Sequence, residues 1–275
     1  MSLAEMSFFQ KVVHIAQTNA SVFLGGAANT MIVAIVCTLL GCVIGFAVGI
    51  VQTIPVRRED HPVKKGFLGA VRFLLSAYVE IFRGTPMIVQ SVFIFYGYAM
   101  VTGNPMGIWP AAILIVSVNT GAYMAETVRG GIMSIDPGQT EGAKAIGMTH
   151  FQTMLYVIFP QTLRNIMPQI GNNLIINIKD SSVLFIIGFM ELFYRGKSAT
   201  GVNYQYFATY TIVMVLYFIM TFFVSRLLRL WERKLDGPAN YDLATTDTLA
   251  HTSGMASYQS PKHSSTNLDL REVEK

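Results

Sequence analysis

Five long apolar stretches, separated by shorter polar connections, dominate the residue pattern of this chain. A helix needs about 20 residues to cross a hydrocarbon layer of roughly 30 Å. We therefore predict five transmembrane helices, over residues 22–54, 73–100, 109–128, 166–192 and 204–228. This pattern predicts an all-α, polytopic membrane protein. A weaker apolar pattern within residues 1–21 predicts a short external or interfacial segment.

The composition agrees with a membrane protein and excludes an ordinary soluble domain. Hydrophobic residues make up 52% of the chain and charged residues only 13%, against about 25% in soluble domains. The net charge of +4 comes mostly from basic residues beside the apolar stretches, so we expect no nucleic-acid partner. Cys37 and Cys42 point to different faces of the first span, which predicts two core thiols and no disulfide.

The basic residues also predict the orientation of the five spans. One side of the membrane carries only Lys11, Arg195 and Lys197. The other side carries Arg57, Arg58, Lys64, Lys65, Arg72, Arg129, Lys144, Arg164, Arg226, Arg229, Arg233 and Lys234. Basic residues concentrate on the cytoplasmic side, so we expect the N-terminus outside and the C-terminus in the cytoplasm. The polar residues 236–275 then form a disordered cytoplasmic tail, and residues 22–235 form the transmembrane domain.

A hairpin over residues 134–165 carries two helix-start signals. Asp136 is a predicted N-cap, Pro137 occupies the first helical position, and Gln139 can close a capping box. Gly147 is placed to end this helix in a left-handed turn, and Thr149 starts the next one. The first helix has few bulky side chains, which suits docking into a partner. An ordinary interfacial loop remains the alternative.

Polar residues inside the spans are candidates for a solute pathway, because charges in the bilayer are costly and need partners or water. Lys179-Asp180-Ser181-Ser182 forms a polar girdle near the midplane of the fourth span. Pro86 interrupts the second span and should free the carbonyl of Phe82. In the third span, Asn119, Tyr123 and Glu126 share one helix face, with a local Glu126–Arg129 ion pair.

These polar residues have a second interpretation, which is a network that only locks helices together. This alternative stays open for Lys179 and Asp180, and for Glu80 and Arg83 in the second span. In the first span, the spacing of Gly41, Gly45 and Gly49 predicts close helix packing. Gly196-Lys197-Ser198 lacks the leading glycine of a phosphate-binding loop, and no metal-ligand spacing or nucleophile motif occurs. We expect no cofactor and no metal, and we expect this chain not to be an enzyme.

The hairpin residues Glu141-Gly142-Ala143, Gly147 and Pro160 resemble the E-A-A-x-x-x-G-(x9)-I-x-L-P signature of membrane subunits of bacterial ABC importers. The departures are Gly142, Val157 and Phe159, which keep small or apolar side chains. Residues 78–90, 122–132 and 178–184 are similar to segments of the polar amino acid permeases within that family.

The resemblance implies a dimer of five-helix subunits in the bacterial inner membrane, formed with a second copy or a paralogous permease. It also implies two cytoplasmic ATPase subunits and an external solute-binding protein. The hairpin would be the coupling helix, which contacts the ATPase through Glu141, Gly142, Ala143, Ala145 and Gly147. Matching positions imply a substrate pathway formed by Lys179, Asp180, Ser181, Ser182, Gln90, Thr85, Asn119 and Tyr123.

We therefore predict the permease subunit of an ATP-driven importer of a polar L-amino acid. Glutamine, glutamate, cystine and basic solutes all remain open. A passive channel for small polar solutes is the alternative, supported by the interrupted second span and the polar residues in three spans. An intramembrane enzyme is a distant third hypothesis, because no catalytic constellation occurs.

Overall fold

The apolar stretches form helices throughout the computed structural model, which describes residues 6–55 and 61–236. No strand occurs in these two ranges. The α-helices are α1 (Phe8–Thr18), α2 (Ala20–Thr53), α3 (Pro62–Gly84), α4 (Met87–Thr102), α5 (Ile108–Met133), α6 (Pro137–Ala145), α7 (His150–Thr153), α8 (Phe159–Asp180), α9 (Leu192–Asn203) and α10 (Tyr206–Asp236).

Four helical segments of the described chain are long and apolar enough to span a membrane singly. They are Ala20–Thr53, Ile108–Met133, His150–Ile187 and Tyr206–Glu232. α3 and α4 are apolar and long enough only as a pair, which is bent by 116° at the break between them, so the count is five when this pair is one span. The predicted all-α fold with about five membrane helices is confirmed.

The first and third spans pack along a seam of glycines. Gly41 faces Thr120, Gly45 faces Met124, and Gly49 faces Val128, so residue numbers rise together and the two helices run parallel. A Cβ atom on Gly49 would lie 2.9 Å from Cβ of Val128. The predicted packing role of the G-x-x-x-G pattern is confirmed, because only glycine permits this approach.

The fourth span differs from the prediction at both ends. Its helix begins at His150, so the expected boundary between the hairpin and a span starting at 166 has no counterpart. The helix continues through Pro160 because a π-helical turn, Met154–Ile158, precedes it and accommodates the missing backbone hydrogen bond. At the other end, the chain tightens into a 3₁₀ helix from Ser181 to Ile187, and Gly188, with φ +81°, ends it.

The N-terminal helix α1 packs on the bundle through one face. Ser7 and Gln10 form its capping box, and Ile15 is buried in a cluster with Phe23 of α2 and Ala208 of α10. The exposed apolar side chain of Phe9 agrees with an interfacial position for the opposite face.

Two further predictions concern the thiols and the chain ends. Cys37 and Cys42 are both free, as predicted. Residues 1–5, the loop residues 56–60 and the predicted tail from 237 onwards lie outside the described residues. The proposed domain limits therefore stay predictions.

Candidate solute pathway and docking loop

The bend between α3 and α4 is built around the carbonyl group of Phe82. Pro86 has no N–H to donate to this carbonyl. Two side-chain amides replace the missing donor: Nε2 of Gln90 lies 2.9 Å from the Phe82 oxygen, and Nδ2 of Asn119 lies 3.3 Å from it. The prediction that Pro86 frees this carbonyl is confirmed, and α5 uses it to bind the bend.

Gln90 has all its polar atoms engaged inside the protein. Gln90 is only 6% exposed. Its Nε2 also lies 2.9 Å from both the carbonyl and the hydroxyl oxygen of Thr85, and its Oε1 accepts from Asn119 at 2.9 Å. In this conformation Gln90, Thr85 and Asn119 therefore hold the bend, and Gln90 offers no free polar group to a solute. Sequence reasoning grouped these residues but missed this role.

Next to the bend, the polar face of α5 contacts the end of α3. Tyr123 is 43% exposed, and the Arg83 guanidinium lies 5.7 Å from the centre of its ring. Glu126 pairs with Arg83 at 3.5 Å and also with Arg129. The predicted i, i+3 ion pair is confirmed, and Arg83 extends it to a second helix.

The polar girdle of the fourth span lies where α8 ends. Lys179 and Asp180 are exposed, and within the described residues neither makes a hydrogen bond or an ion pair with another helix. Ser181 is buried and donates to the carbonyl of Ile178, while Ser182 is half-buried. Because charges in a membrane need partners or water, Lys179 and Asp180 must face a polar cavity or a neighbouring chain.

A buried amide fixes the helix that carries this girdle. Asn177 donates from Nδ2 to the hydroxyl of Thr38 at 2.8 Å, and its Oδ1 accepts from Thr120 at 3.0 Å. These contacts join α8 to both helices of the glycine seam. The girdle therefore begins two residues beyond a rigid three-helix junction.

The connection between the third and fourth spans contains the docking loop, residues 136–149. Asp136 caps α6 by accepting from the N–H of Gly138, with Pro137 at the first helical position, as predicted. Gly147 has φ +83° and follows α6, which confirms the left-handed end. The capping box through Gln139 is wrong, because its side-chain oxygen accepts from Gln161 at 3.2 Å.

The docking loop exposes most of the residues assigned to it. Glu141, Gly142, Ala145 and Gly147 are exposed, whereas Ala143 is 6% exposed and holds α6 in place. Thr149 then forms the predicted capping box with Gln152. Because the fourth span begins at His150, the docking loop leads directly into the helical segment that carries the polar girdle.

A buried carboxylate that sequence reasoning did not single out lies between the fourth and fifth spans. Glu191 is 0% exposed and caps α9 through the N–H groups of Phe193 and Tyr194. The hydroxyl of Tyr217 donates to it at 2.7 Å, which joins α9 to α10.

Four to five apolar crossings, a polar girdle inside one of them and an exposed loop at the start of the same span are typical of a membrane transport subunit. The chain belongs to the family described as binding-protein-dependent transport system inner membrane component, whose pattern matches residues 65–237. The predicted resemblance is therefore confirmed.

Two individual proteins and one solved structure are also similar to this chain. The chain is 34% identical over 212 residues to the glutamine transport system permease protein GlnP of Escherichia coli (strain K12), covering 76% of this chain and 91% of that one. It is 36% identical over 178 residues to the probable amino-acid permease protein YxeN of Bacillus subtilis (strain 168), covering 64% and 80%. A crystal structure of an amino acid ABC transporter with histidines matches with a TM-score of 0.71 and 32% identity, over 85% of this chain and 100% of that one.

Proposed function

We propose that this chain forms the translocation pathway of an ATP-driven importer for a polar L-amino acid. It is a transport subunit of the ABC type, and in such importers ATP hydrolysis takes place on a separate chain. The observation that carries the proposal is the exposed charged pair Lys179 and Asp180 within a span. A zwitterionic amino acid offers a charge of the opposite sign to each member of this pair.

We propose that the polar residues of the pathway have two different roles. Lys179, Asp180 and Tyr123 are exposed and contact the solute, with Ser181 and Ser182 shaping the turn beside them. Gln90, Thr85 and Asn119 keep the α3–α4 bend in place. A second copy of the chain or a paralogous permease covers the exposed pair, so that the pathway lies between two subunits.

The orientation is proposed from the distribution of basic residues, with the N-terminus outside and the C-terminus in the cytoplasm. The parallel packing of α2 and α5 supports an even number of crossings between their starts. The docking loop then lies in the cytoplasm, where an ATPase subunit contacts Glu141, Gly142, Ala145 and Gly147, and an external solute-binding protein delivers the amino acid. A passive channel needs no such loop, which favours the importer.

Reconstitution tests this proposal directly. The permease is placed in proteoliposomes with its ATPase and solute-binding protein, and uptake of L-glutamine and other polar amino acids is measured. We expect uptake that depends on ATP, and at least a tenfold loss with Asp180→Asn, because one charge-assisted hydrogen bond is worth about 1.5–3 kcal/mol. Lys11→Gln, on α1 outside the proposed pathway, is the control. Uptake of none of these solutes, or uptake without ATP, would contradict the proposal.

A further inference from the structure

A charged cavity lies between α2, α3 and α5, away from the polar girdle. Its volume is about 370 Å³, within the range of roughly 300–1,000 Å³ typical of small-molecule sites. Asn177, just before the girdle, contacts Thr38 of α2, whereas the cavity is lined by Gln52 of the same helix. These two α2 residues are separated by about 21 Å of helix.

The cavity combines charges of both signs. Three guanidinium groups and two carboxylates line it, belonging to Arg72, Arg83, Arg129, Glu80 and Glu126. One positive charge is therefore in excess. In the proposed orientation the cavity lies near the cytoplasmic end of the bundle, because Gln52 is close to the end of α2 and Arg129 close to the end of α5.

Two charged side chains of the cavity, Arg72 and Glu80, take no part in the ion pairs of Glu126. Glu126 already pairs with Arg83 and Arg129. Arg72 donates through one guanidinium nitrogen, Nη2, to the carbonyl of Ile54, and it makes no ion pair with another described residue. Glu80 is exposed and makes no ion pair with another described residue. The cavity therefore offers a ligand one guanidinium group and one carboxylate that the Glu126 ion pairs do not use.

We propose that this cavity is a second binding site for the solute, and that it recognises the α-carboxylate and α-ammonium groups common to amino acids. The carboxylate binds Arg72 and the ammonium group binds Glu80. The site holds the amino acid after it leaves the polar girdle and before it enters the cytoplasm. This inference rests on the proposed function and adds a second recognition point to it.

The test measures binding of tritiated L-glutamine to the complete permease–ATPase complex in lipid nanodiscs, without the solute-binding protein. Asp180→Asn removes the contribution of the polar girdle, and Arg72→Gln or Glu80→Gln is added to it. We expect one saturable site to remain in Asp180→Asn, with a Kd that rises at least tenfold when either cavity substitution is added. Arg226→Gln, which removes a cation of α10 outside the cavity, should leave this Kd unchanged.

The pattern of competitors identifies the groups that are recognised. N-acetyl-L-glutamine and L-glutamine α-amide each lack one of the two charges, and we expect each to compete at least tenfold more weakly than L-glutamine. Glu80→Gln keeps the size of the side chain and breaks no described ion pair. Its effect therefore supports the site even where Arg72→Gln disturbs the contact with Ile54.

The inference is overturned if Asp180→Asn abolishes all binding, or if neither cavity substitution changes the Kd of the remaining site. The assay uses neither ATP nor uptake, so its outcome is independent of the reconstitution experiment. Uptake without cavity binding would remove the second site and leave the importer intact. Absence of uptake of every polar amino acid would instead remove the proposed function.

Discussion

Replacing Gly147 with aspartate should lower solute-stimulated ATP hydrolysis at least tenfold while the protein still inserts into the membrane. Gly147 is exposed at the end of α6, on the surface proposed to dock with the ATPase. A carboxylate placed there loses water on docking without gaining a partner, and this costs several kcal/mol for an unpaired ion. The measurement compares ATP hydrolysis in proteoliposomes with the amount of permease in the membrane.

Gly147→Asn provides the matched control for this prediction. Asparagine and aspartate have similar sizes, and both tolerate the left-handed backbone that φ +83° requires. The two variants therefore differ mainly in charge, and we expect Gly147→Asn to keep more than half of the activity. Normal transport by Gly147→Asp would show that this turn does not contact the ATPase subunit.

The largest effect on stability is expected from Gly45→Ala in the seam between α2 and α5. The added Cβ would lie 2.8 Å from the backbone carbonyl carbon of Met124 and 2.9 Å from the backbone N of Ala125. Backbone atoms cannot move aside as a flexible side chain can, so the helices must separate and lose packing along the seam. We expect a loss of about 3 kcal/mol, at the upper end of overpacking effects, measured by thermal unfolding in detergent.

Gly25→Ala on the same helix is the control. A Cβ there has no atom within 4 Å, and alanine is favoured over glycine inside helices by up to about 1 kcal/mol. This variant should be as stable as the original protein or slightly more stable. Equal melting temperatures for Gly45→Ala and the original protein would contradict the close approach of the two helices.

The features that the sequence predicted well depend on local rules. The cap at Asp136, the left-handed Gly147 and the capping box at Thr149 each need only neighbouring residues. The glycine spacing at Gly41 and Gly45 predicted a close contact, although it could not identify α5 as the partner. The family resemblance likewise rested on short segments of neighbouring residues, among them the hairpin.

The features that were missed depend on contacts between distant residues. The hairpin was expected to end at residue 165, but the helix that begins at His150 continues through Pro160 after a π-helical turn. The amide of Gln90 is used by the carbonyl of Phe82, which no spacing rule predicts. Gln139 had the right position for a capping box, yet it bonds to Gln161, 22 residues away. Glu191 attracted no attention because its three donors come from two different helices.

The unbroken path from His150 to the polar girdle has a geometrical consequence for how force crosses the membrane. Thirty residues of helix separate His150 from Asp180, a length of about 45 Å. If this helix tilts by about 5° with its girdle end held at the Asn177 junction, its His150 end moves through an arc of about 4 Å, as follows from that length. A displacement of several ångströms at the His150 end therefore produces only a small rotation beside Lys179 and Asp180. A large movement at one end of this helix would therefore shift the polar girdle at the other end by less than the width of an atom.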